Sequence, residues 1–149
     1  MEVIKKIKKL LLALTRAKTQ LDFNKVVQSE VVVFDRSGSE NLISLIPTKS
    51  IKILDVRFET INVFILIICI IKLKLSLLGY FVTYLNYLNP KLVITYTDNR
   101  ILFYQLKNNI RNKNTKFVSV QNGCRRKFND FFNYISNYNN CEHIFIFCN

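Results

Sequence analysis

The stretch EVVVFDRSGSE, residues 30–40, joins a short run of β-branched and aromatic residues to a polar turn. A strand buried on both faces of a sheet is a short continuous apolar run, because neither face meets water. Four more runs of this kind follow along the chain. We therefore predict five buried strands, at residues 30–34, 51–56, 91–96, 116–121 and 143–147.

The segments between these strands carry apolar or aromatic residues at helical spacing. They cover residues 40–46, 62–73, 77–88, 99–110 and 128–138, and Pro90 stops the third. Strands that alternate with helices imply crossover connections and a parallel sheet. The predicted fold is α/β: a Rossmann-like open parallel sheet of about five strands with helices on both faces, in a domain spanning residues 26–149.

Residues 1–25 carry seven basic side chains against two acidic ones, and apolar residues recur from Val3 to Leu14 at helical spacing. This pattern predicts a short basic amphipathic helix ahead of the α/β domain. Such a helix either lies on an anionic membrane surface or docks its apolar face on the domain, and both interpretations stay open. Its apolar part is too short for a secretory signal.

Residues 63–71 read VFILIICII, an apolar run well short of the roughly 20 residues that cross a bilayer, so we predict a buried core helix. The four cysteines form no CxxC pair, and the single histidine lies outside any ligand spacing, so no metal site is predicted. Cys69 is expected to be a core thiol in a reducing, cytoplasmic compartment. Neither a GxGxxG fingerprint nor a Walker loop is present, and no cofactor is predicted.

The net charge is +12, from 22 basic and 10 acidic residues. This balance favours anionic partners: nucleic acid, anionic lipid or phosphorylated small molecules. Charge alone does not choose among the three classes. A solvated basic surface without a partner is the competing interpretation.

Polar clusters follow four of the predicted strands, at residues 35–40, 55–60, 97–100 and 121–126. The carboxyl ends of parallel strands share one edge, where such sheets bind ligands, so we predict a common cleft there. Its acidic candidates, which would accept sugar hydroxyls or act as a base, are Asp35, Asp55 and Asp98. The candidate substrate-binding residues are Arg36, Ser37, Gly38, Ser39, Glu40, Asp55, Arg57, Asn99, Gln121, Asn122 and Gly123.

Several of these candidates have a specific physical reason. Gly38 permits a tight turn, and the amides of residues 39–41 would receive an anion at the start of a helix. Arg36 and Arg57 would fork onto a phosphate or carboxylate. Gly123 indicates a backbone bend at a strand end. The competing interpretation is that these residues cap helices and tie loops together without any ligand.

Four segments resemble, in order and spacing, a family of bacterial surface-carbohydrate biosynthesis proteins, transferases for the O-antigen of lipopolysaccharide and related polysaccharides. They are VVVFDRSGSE (31–40), ILDVRFETINVFIL (53–66), YLNPKLVITYTDNRILFYQLK (87–107) and KFVSVQNGCR (116–125). The resemblance spans nearly the whole chain. It implies the N-terminal domain of a glycosyltransferase-like protein with two paired Rossmann-like domains, of which the C-terminal one binds most of the nucleotide-activated donor.

Residues 121–123, QNG, stand where related transferases often carry a Gln-His-Gly turn. Asparagine is not a general base, so the resemblance implies Asp98, Asp35 or Glu59 in that role. The family continues into a second domain. The chain is therefore expected to be a fragment that is inactive alone or pairs with a separately encoded C-terminal domain, and to meet a lipid-linked acceptor at the inner face of the cytoplasmic membrane.

A second function class stays open: a non-catalytic basic binding module for nucleic acid or an anionic membrane surface. The sequence has no zinc-finger spacing, RNA-recognition aromatic motif or helix-turn-helix, which disfavours nucleic acid. Whether the chain is an enzyme is left undecided by its residues. A basic patch for such a module would comprise Lys113, Lys116, Arg125, Arg126 and Lys127.

Overall fold

A computed structural model describes residues 20–36, 38–47, 50–57, 60–97, 100–120 and 143–145 of the chain. The strands are β1 Gln20–Asp22, β2 Val31–Phe34, β3 Ile51–Leu54, β4 Thr60–Asn62, β5 Leu92–Thr95, β6 Lys116–Val120 and β7 His143–Phe145. The helices are α1 Ser39–Leu45, α2 Val63–Ile71, α3 Leu77–Leu88 and α4 Ile101–Asn109. Each run predicted to be a strand contains one of these strands, and the predicted helix at residues 128–138 lies outside the described residues.

The main sheet is parallel throughout, with the strand order β3-β2-β5-β6-β7. The chain moves outward from β2 to β3 and then returns past β2 to β5, so the direction of winding reverses between β2 and β5. In open parallel sheets this reversal leaves a crevice at the carboxyl ends of the two strands. The predicted mixed α/β architecture with parallel strands is confirmed, and it is compatible with a Rossmann-like fold.

Alternate side chains along the central strands point to opposite faces of the sheet and pack against different helices. Val32, Val93 and Phe117 are in register on one face and pack with side chains of α2, α3 and α4. Val33 and Ile94 lie in register on the other face, in a cluster that includes Ile43 of α1. Helices therefore pack on both faces of the described sheet.

An aromatic cluster fixes α3 and α4 beneath the carboxyl end of β2. The ring of Phe34 lies 5.4 Å from that of Phe81 and 5.7 Å from that of Phe103. Phe103 in turn lies 5.5 Å from Phe117. All four side chains are fully buried, and burying each contributes about 1.5–3 kcal/mol. This packing supports the edge of the sheet at which the polar turns begin.

The structure also contains a second, two-stranded sheet, which the sequence analysis did not predict. Strands β1 and β4 pair in parallel, with Gln20 opposite Thr60 and Asp22 opposite Asn62. Three-residue strands are too short for an alternating pattern to register. Residues 1–19 of the predicted N-terminal helix lie outside the described residues, and Gln20–Asp22, in the remainder of that prediction, is extended.

Helix α2 is not the buried core helix that its apolar residues predict. Ile65 and Cys69 are buried, whereas Phe64, Ile67 and Ile71 are between 38% and 75% exposed. The helix lies on the outside of its layer, so that only one stripe of its surface is covered. Within the described residues, no helix is both long and apolar enough to cross a membrane.

Candidate functional site

Asp35 comes directly after β2, at the point where the direction of winding reverses. Its φ of 87° lies in the left-handed region, which is rare outside glycine but more accessible to Asp and Asn than to other residues. Its amide donates to the Leu54 carbonyl at 2.9 Å, and its side chain is only 1% exposed. A strained turn at the end of a central strand therefore holds this carboxylate inside the protein.

Two arginines from two other loops converge on that carboxylate. Nε of Arg57, after β3, lies 3.7 Å from Oδ1 of Asp35. Nε of Arg100, which precedes α4, lies 3.4 Å from Oδ2. The arginine side chains remain 51% and 33% exposed. These three residues, the Asp35 cluster, join the turns that follow β2, β3 and β5, as the shared-edge prediction expects for those three strands.

The turns after β2 and β5 also touch each other directly. Gly38 has a φ of +72°, and a Cβ at that position would overlap the ring of Tyr96. The Thr95 hydroxyl donates to the Phe34 carbonyl at 2.8 Å and accepts from the Thr97 amide at 3.1 Å. Glycine is required at residue 38 because both the backbone angle and the aromatic ring exclude a side chain.

A cleft of about 100 Å³ opens beside the carboxyl end of β3, and Arg36 and Asp55 line it. Oδ1 of Asp55 accepts from the Arg57 amide at 3.1 Å. Oδ2 of Asp55 is buried and has no hydrogen-bond partner among the described residues. A buried acceptor without a partner costs about 1–3 kcal/mol. A ligand hydroxyl that enters the cleft would supply the missing donor.

The opposite wall of the cleft comes from the small sheet and α3. Nδ2 of Asn62 donates to Oδ2 of Asp22 at 3.2 Å, and the Asn62 amide donates to the Tyr80 hydroxyl at 2.9 Å. Hydrogen bonds from the Asn24 amide, and from the Asn62 and Asn24 side chains, hold the pKa of Asp22 below its ordinary value against the opposing effect of burial. Burial raises the pKa of Tyr84 to about 12 and that of Tyr80 in the same direction.

Sequence reasoning missed this wall because it missed β1 and β4. One signal was present: Asn62 stands directly before an apolar helical run, as an N-cap residue does. Its Oδ1 accepts from the Ile65 amide at 3.1 Å, which caps α2. The cap therefore also orients the Nδ2 group that reaches Asp22.

One of the three amides in the predicted anion site at the start of α1 forms a hydrogen bond within the turn itself. The Ser39 amide donates to the Arg36 carbonyl at 3.0 Å, and Ser39 is only 2% exposed. Helix α1 is seven residues long, and Glu40 lies exposed in its first turn. Ser39 in this conformation supports the turn rather than facing the cleft.

Several predicted site residues lie outside the described residues: Ser37, Glu59, Asp98, Asn99, Gln121, Asn122 and Gly123. Within the described parts of the chain, no group of three or more His, Cys, Asp or Glu side chains is placed to hold a metal ion. The described part of the site is therefore the Asp35 cluster and the neighbouring cleft.

The Asp35 cluster has groups suited to binding an anion. Asp35 is only 1% exposed and faces the two guanidinium groups, which favours a role in positioning them. Its role as a base stays a prediction from the sequence. An arginine has five N–H donors, and the contacts to Asp35 are made through Nε. The remaining donors are available to a phosphate or carboxylate.

No family model, no curated protein and no solved structure matches this chain. The resemblance to surface-carbohydrate transferases therefore stays a prediction from the sequence.

Proposed function

We propose that this chain is a domain of a surface-polysaccharide biosynthesis transferase whose sheet edge binds the phosphate of a nucleotide-activated donor. The observation that carries the proposal is the Asp35 cluster. Two guanidinium groups from separate loops meet on one buried carboxylate, at the reversal point where open parallel sheets take their ligands.

The exposure of Arg57 and Arg100 supports a role in ligand binding in addition to a structural one. A salt bridge that only tied loops together would gain little from leaving 51% of Arg57 and 33% of Arg100 in contact with solvent. Planar guanidinium groups that a carboxylate already orients lose less side-chain entropy when they bind a phosphate. The net charge of +12 attracts such ligands from a distance.

The neighbouring cleft supports a sugar or polyol next to that phosphate. Asp55 presents a buried carboxylate oxygen to it, and Arg36 and Asn62 lie in its wall. Carboxylate and amide groups on a concave surface are suited to ligand hydroxyls, each of which needs an acceptor when it leaves water. The phosphate and hydroxyl sites would thus lie side by side along β3.

In the proposed reaction a carboxylate takes the proton of an acceptor hydroxyl, and that oxygen forms a bond to the activated carbon or phosphorus of the donor. The bond to the nucleotide phosphate breaks, and the phosphate leaves with the electron pair. Arg57 and Arg100 offset its growing negative charge. Asp98, Asp35 and Glu59 remain the predicted bases. Transfer to a lipid-linked acceptor would take place at the inner face of the cytoplasmic membrane.

The test is calorimetric titration of the full chain with UDP-glucose, CDP-glycerol and pyrophosphate. Saturable binding of at least one probe is expected, weakened roughly 10–100-fold in Arg57→Gln and in Arg100→Gln, because each loses a charged hydrogen bond. Lys113→Gln is the matched control, since Lys113 is exposed and lies outside the Asp35 cluster and the cleft. Circular dichroism of each variant checks that it is folded.

Two results would overturn the proposal. One is the absence of saturable binding by all three probes. The other is binding that is equal in wild type and both arginine variants. Salt-sensitive binding of generic duplex DNA, unchanged in those variants, would instead favour the non-catalytic basic module.

A further inference from the structure

The outer side of α2 presents apolar side chains where a surface helix normally carries polar ones. Phe64, Ile67, Ile70 and Ile71 recur at helical spacing and are 38%, 51%, 43% and 75% exposed. Leu73, just beyond the helix, is 71% exposed. These five residues form one surface, the α2 face. Apolar surface of this kind on a described helix calls for a partner.

The end of α2 holds Leu73 outward against its own backbone preference. Leu73 has a φ of 53°, and its amide donates to the Ile70 carbonyl at 3.1 Å. The Lys74 amide donates to the Cys69 carbonyl at 2.8 Å. This pair of bonds is a Schellman motif, whose left-handed position normally takes glycine. A leucine there has a strained backbone, and its exposed side chain adds no burial that would offset the strain. Such an outlier points to a role of the side chain in binding rather than in stability.

A basic pocket of about 180 Å³ adjoins the α2 face. Its charged lining residues are Lys72, Lys74 and Arg111, and Tyr87 completes the wall beside them. Tyr87 also lies with its ring 5.6 Å from the ring of Phe64, edge to face. The pocket and the apolar surface are therefore contiguous.

The described residues that line the pocket include no carboxylate. The sequence from residue 60 to residue 97 contains neither Asp nor Glu. Among the residues the structure describes, no carboxylate forms an ion pair with Lys72, Lys74 or Arg111. The Arg111 amide donates to Oδ1 of Asn86 at 2.8 Å, which anchors the backbone of that residue beside the pocket.

We propose that the α2 face and the basic pocket together dock the protein on the surface of an anionic phospholipid bilayer. The apolar side chains enter the boundary between headgroups and acyl chains, and the three cations meet lipid phosphates in and around the pocket. The helix lies in the plane of the membrane surface, since its nine residues are far too few to cross it. The surface is separate from the predicted N-terminal helix and does not depend on the proposed reaction.

Charge complementarity favours a bilayer over a second copy of the chain. A two-fold contact through the α2 face would bring the basic pockets of both copies to one interface. No acidic residue of this surface would compensate them, and like charges across an interface are unfavourable. An anionic lipid surface supplies both the apolar layer and the negative charge.

The test is co-sedimentation of the full chain with vesicles of phosphatidylcholine alone or with phosphatidylserine added. Binding is expected to require phosphatidylserine and to weaken with salt. Lys72→Gln/Lys74→Gln/Arg111→Gln should lower the partition coefficient by about a hundredfold, since each surface cation contributes about fivefold. The matched control Lys25→Gln/Lys52→Gln/Lys91→Gln makes the same change in net charge at solvent-accessible positions outside the α2 face, the basic pocket and the predicted basic patch, and should bind nearly as wild type.

The apolar side chains are tested by Leu73→Gly, which removes a side chain while relieving the backbone. Its melting temperature should equal or exceed that of wild type, while its vesicle binding should fall several-fold. A structural role for Leu73 would instead lower the melting temperature. Ile71→Ser/Leu73→Ser should weaken binding further, and Phe23→Ser/Val27→Ser, which changes two equally exposed residues, should not.

Three results would overturn the proposal. In the first, the two triple variants lose binding equally, which would assign it to net charge or to the N-terminal segment. In the second, vesicle binding is absent at low salt. In the third, light scattering finds a dimer that Ile71→Ser/Leu73→Ser converts to a monomer, which would assign the α2 face to a second copy.

Discussion

The carboxylate of Asp35 lies 3.4 Å from Nε of Arg100, across the point where the sheet reverses its direction of winding. The carboxylate is buried, whereas a third of the arginine side chain is exposed. The buried Asp35 carboxylate thus holds the Arg100 guanidinium group at the protein surface. This asymmetry is the basis for proposing that Asp35 positions Arg100 and that Arg100 meets the ligand.

Asp35→Asn should lower the free energy of unfolding by about 1–3 kcal/mol, because the amide no longer compensates two nearby guanidinium charges. Asparagine tolerates the left-handed backbone of this residue, so the substitution isolates the effect of charge. Urea unfolding measures the loss. In an Arg57→Gln background the same substitution should cost less, since one cation has gone. A change within about 0.5 kcal/mol of zero would show that the cluster does not stabilise the fold.

Gly38→Ala should cost about 2–4 kcal/mol, as the sum of left-handed backbone strain and overlap with the Tyr96 ring. Thermal unfolding checks the loss. The Tyr96→Ala background removes the overlap but leaves the strain, so Gly38→Ala should there cost only about 1–2 kcal/mol. Equal costs in both backgrounds would mean that the ring does not restrict residue 38.

Asn62→Asp should destabilise the protein at neutral pH, because the cap to Ile65 is kept while a second carboxylate faces Asp22. Repulsion between like charges raises the pKa of both groups in the folded state. The folded variant then binds protons more readily than its unfolded chain does, so its deficit relative to wild type should shrink as pH falls toward 4, a value near the ordinary pKa of Asp.

The measurement is urea unfolding of wild type and Asn62→Asp across that acid range. Asn62→Ala is the control, since it loses the cap, which alone is worth about 1 kcal/mol, together with the hydrogen bonds of Nδ2, without adding charge. Its deficit should change much less with pH. If the two variants showed parallel pH profiles, Asp22 and residue 62 would not be neighbours.

Stability should also decline in alkali because of Tyr84. Burial, with a smaller contribution from Asp22, raises its pKa from 10.0 to about 12 in the folded protein. The stabilising contribution is therefore complete below pH 10, and it is lost as pH rises from the unfolded pKa through the folded pKa. Tyr84→Phe should flatten the fall in unfolding free energy over that window, as urea unfolding of both proteins in alkali would measure. A slope equal to that of wild type would contradict this prediction.

Much of the fold follows from local patterns. Short β-branched runs predicted each strand of the main sheet, and the alternation of strands with helices predicted that they are parallel. The pair β1–β4 could not be predicted, since three residues leave no period to read. The exposure of one side of α2 could not be predicted either, because the apolar content of a helix does not specify whether neighbours cover all of its faces.

Part of the candidate site could likewise be predicted from the sequence, and part of it could not. The rule that the carboxyl ends of parallel strands share an edge brought Asp35, Arg57 and the loop containing Arg100 together before any coordinates. The same rule gave Asp35 the role of a base, which its burial between two arginines does not support. The roles of Asp22 and Tyr80 depend on a sheet that the sequence did not reveal.

The sequence by itself determined the class of fold and that the loops after β2, β3 and β5 share one edge of the sheet. The succession of strands and helices along the chain and the side-chain period within each are local properties, and they suffice for that. Only the tertiary structure decided which charged groups are buried and which apolar groups stay in water. Burial depends on the neighbours that the fold brings to a residue from distant parts of the chain. That is why a carboxylate expected to do chemistry holds two arginines in place, and why a helix expected to be in the core faces outward.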